Sequence, residues 1–230
     1  MSKKASEFFG MKKKEFIKET RPVLEALFDQ IADAPSVSFG ELEDKNTVLL
    51  IVDMVNGFVK EGALASANVL AINEPVAAFA KACAEKNIPI AALCDAHDEN
   101  SPEFESYPPH CVAGTVESDV TDEIKQACEF KRIEKGSVNG MLEPELSQWL
   151  AQTKAENIII VGDCTDLCIL QLANSVKAWF NRINRTCRVI VPTQLVSTYE
   201  LGTHNAALTS LMALYNMSLN GVDVRSKIEF

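Results

Sequence analysis

The chain has 230 residues, 47% of them apolar and 23% charged, with a formal net charge of −10. That length can bury one large core, and the mixture is that of an ordinary globular protein. The acidic balance argues against nucleic acid or anionic membrane as a partner, since both select basic surfaces, and no apolar run approaches the roughly 20 residues that span a bilayer.

The N-terminal stretch "MSKKASEFFGMKKKEF" has basic residues but no apolar signal core, so a cytoplasmic location is expected. Seven scattered cysteines without C-x-x-C pairs fit that reducing compartment as mostly buried free thiols. Residues 3–33 read as one or two amphipathic helices. Phe8, Phe9, Phe16, Ile17, Val23, Leu24, Leu27 and Ile31 recur at near-helical spacing, and Pro22 marks a boundary or kink. Such a stripe is expected to pack on the body of the protein or on a neighbouring subunit. "DAPSVSFGELEDKN" then reads as loop, closing an N-terminal helical extension over 1–45.

From residue 46 the rhythm changes. "TVLLIVD" (47–53) is a continuous apolar run, the mark of a strand buried on both faces. Helical periodicity follows in "ANVLAINEPVAAFAKACAEKN", and a second buried strand in "IPIAALCD" (88–95). Further strands are predicted at 128–135, 157–163, 187–193 and near the C-terminus. Helices fall at "EPELSQWLAQTK", "TDLCILQLANSVKAWFNRI" and "HNAALTSLMALYNM". Alternating strands and helices predict one α/β domain over 46–230, three layers deep, with a mostly parallel central sheet.

In such sheets ligands bind beyond the carboxyl ends of the strands. Asp53 ends the first strand, Asp95 the second with His97 just beyond, Lys135 the third, and the fourth runs into "GDCTDLC". Singly, each could be a turn cap or a solvated end. Together they fit an active site. Of the two cysteines in "GDCTDLC", Cys168 is the better nucleophile: with Thr165 or Asp166 as cap it falls in a first helical turn, where the helix dipole and a nearby lysine favour the thiolate. Cys164 sits in the turn, where its backbone N–H matters more than its sulfur.

The segment "CDAHDENSPEFESYPPHCVAGT" holds two of the three histidines. Asp95, His97, Glu103 and His110 form a candidate set for one divalent metal, Zn²⁺ first, with Fe²⁺ or Mn²⁺ as alternatives. Glu99 and Glu105 read as solvated loop acids.

At these residues the sequence resembles the nicotinamidase branch of the isochorismatase-like cysteine hydrolases. "LLIVDMVNGF" is similar to the first-strand motif with its catalytic acid, "EKG" to the lysine motif, "IVGDCTDLC" to the nucleophile motif, and "YPPHCVAGT" to the metal segment. The resemblance covers about residues 46–229. It implies a cis peptide between Asp163 and Cys164, an oxyanion hole from the backbone amides of Cys164 and Cys168, and a pyridine ring held by Phe58 and Tyr107. It further implies Asn56 beside the metal site, and Asp163 and Cys164 among the substrate contacts. The chain departs from the pattern in four ways: Glu103 stands where many members place a third histidine, Tyr107 replaces the commoner Trp, Leu167 precedes the nucleophile, and residues 1–45 lie outside the family core.

The implied reaction is hydrolysis of nicotinamide to nicotinate and ammonia, a step of NAD salvage. It runs through a Cys168 thioester with Asp53 as base and Lys135 as partner. The implied assembly is a homo-oligomer. Rival readings are a metal-free relative acting on a carbamoyl or ureido compound, and a non-catalytic binding protein on the same fold.

Overall fold

A computed structural model describes residues 9–43 and 46–230, which leaves Phe8 outside the described residues. Helix α1 (Lys13–Ala32) comes first, then β1 (Val37–Ser38) and the short α2 (Gly40–Glu43). Strand β2 (Thr47–Val52) leads through α3 (Asn56–Val59) to the long α4 (Ala67–Glu85) and β3 (Ile90–Asp95). Next come α5 (Asp122–Ala127), β4 (Lys131–Lys135), α6 (Pro144–Thr153), β5 (Asn157–Asp163) and α7 (Leu170–Arg182). The chain closes with β6 (Arg188–Pro192), β7 (Val196–Ser197), α8 (Ala206–Leu219), β8 (Asp223–Arg225) and β9 (Ile228–Glu229).

The main sheet has the order β4-β3-β2-β5-β6-β8, with β7 pairing the end of β5. Every pairing in it is parallel. The apolar runs explain this layout. Every residue of β2, β3 and β5 is buried, as strands covered on both faces require. Alternation then sorts the side chains. Leu49, Ile51, Ile159 and Val161 join α4 and α5 in one core layer, while Val48, Leu50, Ile158 and Ile160 join α6, α7 and α8 in the other. Three layers result, as expected from the alternating pattern.

Several boundaries differ from the sequence reading. The strand expected at 128–135 starts at Lys131, and the C-terminal strand divides into β8 and β9. β9 leaves the main sheet to pair with β1, inside the segment expected to be loop. That segment belongs to the core: Phe39 and Leu42 are buried, and the Phe39 ring meets Phe79 and Phe230 at 6.0 and 5.0 Å. α1 is a single helix that runs through Pro22 rather than breaking there. It lies against α8, but only Leu27 of its stripe is buried, while Ile17, Val23 and Phe28 remain exposed. Among the described residues no helix is long and apolar enough to cross a membrane.

At the centre, β2 and β5 approach closely. Val52 pairs with Gly162, whose φ is +113°, and a Cβ added there would lie 2.0 Å from the Val52 carbonyl oxygen. Glycine alone fits both the dihedral and the space. Gly162→Ala is expected to lower stability by about 3 kcal/mol, because it forces the two central strands apart. A urea melt with an unchanged midpoint would show that the contact relaxes freely.

Candidate active site

In the order β4-β3-β2-β5-β6-β8 the chain winds outward in one direction from β2 and in the other from β5. The crevice between those strands is the topological switch point, where doubly wound sheets bind ligands at their carboxyl ends. Asp53 leaves β2 there with a φ of +53°, a left-handed turn that Asp tolerates better than most residues. Facing it, β5 ends in Asp163 and turns through a cis peptide to Cys164, as the resemblance implied.

Lys135 joins the strand ends. It closes an otherwise mostly exposed edge strand, yet it is only 1% exposed. Its Nζ lies 2.8 Å from Asp53 Oδ2 and donates a short hydrogen bond to Asp95 Oδ1. It also lies 3.6 Å from Cys168 Sγ and 3.3 Å from the Ser137 carbonyl oxygen. Asp53 is held from its other side, where Oδ1 accepts the Asp95 backbone N–H at 2.9 Å. The solvated strand end that a lysine beside glycine suggests is thus replaced by a buried ion cluster.

Electrostatics distribute the protons. Burial opposes the Lys135 ammonium, but Asp53 and Asp95 outweigh it and hold its pKa well above the ordinary value. Burial and the Asp95 charge push Asp53 up to about 6, against the pull of Lys135 and a hydrogen bond with the Cys168 thiol. Burial also raises Cys168 well above an ordinary thiol, with Lys135 working against it. The protonated Cys168 thiol is favoured over the thiolate expected from dipole and lysine, because burial outweighs the pull of a lysine already engaged by two carboxylates.

The local helix geometry differs from expectation as well. Cys168 sits in a π-helical turn, Thr165–Ile169, which precedes α7 and has no side-chain cap. Thr165 is buried, and Asp166 points to Thr198 and His204 instead. Asp163 is buried beside Asp53 and Asp95, and both burial and those charges hold its carboxyl well above the usual range.

A second cluster adjoins the first through Asp95. Its Oδ2 lies 3.5 Å from His97 Nε2 and 3.7 Å from His110 Nε2, and all three residues are buried. A parallel bridge between His97 and Val112 folds the loop back and brings His110 beside His97. His110 Nδ1 donates to the Pro108 carbonyl oxygen at 2.8 Å, which leaves the Nε2 lone pair facing Asp95. Both ring nitrogens of the buried His97 lack a hydrogen-bond partner. An unsatisfied buried imidazole is costly, and a cation would supply what it lacks. Two ligands at zinc distances from one tetrahedral ion stand about 3.4 Å apart, which these separations match. The donor set fits a divalent metal.

Glu103, expected as a fourth ligand, is not brought into this group, whose ligand atoms lie within 4.8 Å of one another. It sits half-buried in a 3₁₀ turn, Pro102–Glu105, on the wall of the adjoining cavity. Asn56 does not line that cavity: its side chain donates to the Val116 carbonyl oxygen at 3.0 Å. Phe58 and Tyr107 do line it, with rings 5.5 and 6.2 Å from that of His110. Glu99 and Glu105 are exposed, as read.

The cavity measures about 470 Å³ and also takes in Asp53, Asp163, Cys164 and Cys168. Four residues around the site escaped the sequence reading. Phe104, outside the cavity lining, sets its ring edge-on to His97 and His110, 5.5 and 5.6 Å away. Tyr199, Glu200 and Leu201 arrive on a loop after the two-residue β7, too short for periodicity to reveal. The arrangement gathers a thiol, a raised carboxyl group, a buried ammonium and a metal-compatible donor set around one cavity, groups that can serve acyl transfer.

Comparison with known proteins agrees. Over 240 aligned residues the chain is 28% identical to Nicotinamidase 1 of Arabidopsis thaliana, covering 90% of this chain and 98% of the relative. Among solved structures it is similar to pyrazinamidase of Pyrococcus horikoshii in complex with zinc, with a TM-score of 0.66 at 20% identity, covering 80% of this chain and 99% of the other. It is likewise similar to N-carbamoylsarcosine amidase from Thermoplasma acidophilum, with a TM-score of 0.65 at 22% identity, covering 78% of this chain and 95% of the other. The isochorismatase domain model matches residues 47–221, which span the whole main sheet except its last strand, and the chain belongs to that family.

Proposed function

We propose that this protein is an amide hydrolase that converts nicotinamide to nicotinate and ammonia, a reaction of NAD salvage. The observation that carries the reading is the position of Lys135 Nζ, in contact with Asp53, Asp95 and Cys168 at once. That contact couples nucleophile, base and metal-ligand set at one cavity.

In the proposed reaction Asp53 takes the proton from the Cys168 thiol as Sγ attacks the carboxamide carbon. The new C–S bond pushes the carbonyl electrons onto oxygen, and the backbone amides of Cys164 and Cys168 receive that charge. Asp53 then returns the proton to the amide nitrogen, the C–N bond breaks, and ammonia leaves a thioester on Cys168. Water, deprotonated by Asp53, attacks the thioester; nicotinate departs and the thiol regains its proton. Lys135 stays charged throughout and offsets the negative charge of Asp53 when that group is ionised. Phe58 and Tyr107 flank the ring of the substrate. Asp95, His97 and His110 would hold a divalent metal, with Zn²⁺ favoured by one carboxylate and two imidazoles, and it would supply a Lewis acid toward the pyridine nitrogen. The curated relative named for nicotinamidase activity, aligned over nearly its full length, supports the substrate.

Cys168→Ala is expected to abolish ammonia release from nicotinamide while retaining binding, and Cys164→Ala to keep substantial activity. A working Cys168→Ala enzyme would remove the thioester from the reaction. Elemental analysis should find about one divalent metal per chain, lost in His110→Ala, with activity falling on chelation. Full activity after complete metal removal, or preference for a carbamoyl compound assayed alongside nicotinamide, would favour another amidase chemistry. Lys135→Met strands two buried carboxylates and is expected to cost about 3–5 kcal/mol of stability at neutral pH. That loss should shrink as pH falls, because the stranded carboxyls then bind protons more tightly folded than unfolded. Denaturant melts at pH 5 and pH 8 that show equal losses would contradict this.

A further inference from the structure

The third histidine of the chain, His204, has no part in the chemistry above, yet it is tied to the nucleophile's turn. Its Nδ1 donates to the Tyr199 carbonyl oxygen at 2.9 Å, and its Nε2 lies 2.7 Å from Asp166 Oδ2. Its ring lies flat on that of Tyr199, with centroids 3.9 Å apart and planes 8° from parallel. The other oxygen of Asp166 accepts the Thr198 hydroxyl at 2.6 Å. Asp166 itself stands in the π-helical turn that carries Cys168. One carboxylate therefore fastens both ends of the 198–204 segment to the nucleophile.

The segment between those ends is closed on itself. Leu201 and His204 exchange both backbone hydrogen bonds, at 3.1 and 2.9 Å. Glu200 accepts the Ala206 amide at the start of α8, at 2.6 Å, and Asn68 at the start of α4 donates to the Thr198 carbonyl oxygen at 3.0 Å. Tyr199, Glu200 and Leu201 line the same cavity as Cys168 and Tyr107. An imidazole carries its two nitrogens on separate edges, so the ring can meet two oxygens and still offer a face for stacking.

We propose that His204 is a positioning residue: clamped between Asp166 and the Tyr199 ring, it holds the 199–201 wall at the spacing that admits a flat aromatic amide. It thereby sets substrate selection in the hydrolysis proposed above, the reading on which this inference rests. The role differs from that of a catalytic residue, since the imidazole touches the wall rather than the reacting atoms.

The test compares the full-length wild type with His204→Ala, His204→Gln and Tyr199→Leu. Three readouts are taken: steady-state kinetics on nicotinamide, the same on propionamide, and the rate at which iodoacetamide alkylates Cys168. His204→Ala should raise KM for nicotinamide about tenfold while kcat stays within about threefold, and should narrow the preference over propionamide. It should also speed alkylation several-fold, because the wall no longer shields the thiol. His204→Gln keeps a donor toward Asp166 and should recover much of the lost KM. Tyr199→Leu removes the stacked ring without touching the Asp166 contact and should repeat the KM effect, so a misfolded His204→Ala still leaves the proposal decided. Unchanged KM and alkylation in the folded variants would overturn it, as would a loss confined to kcat. A wild type inert toward nicotinamide would instead overturn the reaction, and the alkylation rates would still decide the clamp.

Discussion

Lys135 places its ammonium between the carboxylates of Asp53 and Asp95, and all three side chains are buried at the ends of neighbouring strands. Two anions and one cation in a dry crevice hold together only while each partner stays in place, because a buried charge left alone costs several kcal/mol. This constraint governs the rest of the site. It requires β2, β3 and β4 to keep a register in which Asp95 pairs with Lys135 and Val52 with Leu93. It also keeps the lysine charge on the carboxylates, so that Cys168 rests as a thiol beside a raised carboxyl group.

The same cluster reaches from Asp53 and Cys168 to the two imidazoles. Asp95 turns one oxygen toward Lys135 and the other toward the two imidazoles. Charge at the imidazole end is therefore felt at the lysine, and through it at Asp53 and Cys168. The aromatic rings of Phe58, Phe104 and Tyr107 pack around His110. Low local polarity strengthens every one of these contacts. The opposite wall is built differently: it is a loop that bonds to itself and is fastened through Asp166 to the turn that carries Cys168. One side of the pocket is thus fixed by charge and the other by a hydrogen-bonded clamp.

The scaffold beneath these groups follows from apolar surface alone. Continuous runs in β2, β3 and β5 require cover on both faces, and α4 with α5 on one side and α6, α7 and α8 on the other provide it. Gly162 permits the close approach of the two central strands at the switch point. Each buried aliphatic side chain contributes about 1.5–3 kcal/mol, so the layers are secure enough to carry a cluster of charges at their edge.

The sequence by itself determined the class of fold, most of the strands, and the residues at the strand ends. Asp53, Asp95, His97, Lys135 and Cys168 were legible because apolar periodicity is local, and each of these residues interrupts or follows it at a predictable place. His110 was legible because it is one of only three histidines and stands near a carboxylate-rich strand end. Only the tertiary structure decided how those groups share their charges, since that depends on strand order and on burial that no short window contains. It moved β1, Phe39 and Leu42 into the core, because their partners β9 and Phe230 lie almost two hundred residues away. It set Glu103 apart from Asp95, His97 and His110 and turned Asn56 toward Val116, because loop backbones aim side chains in ways that spacing does not encode. It joined Asp166 to His204 across 38 positions in the chain, a contact with no local pattern, made only when α8 folds back over the nucleophile's turn.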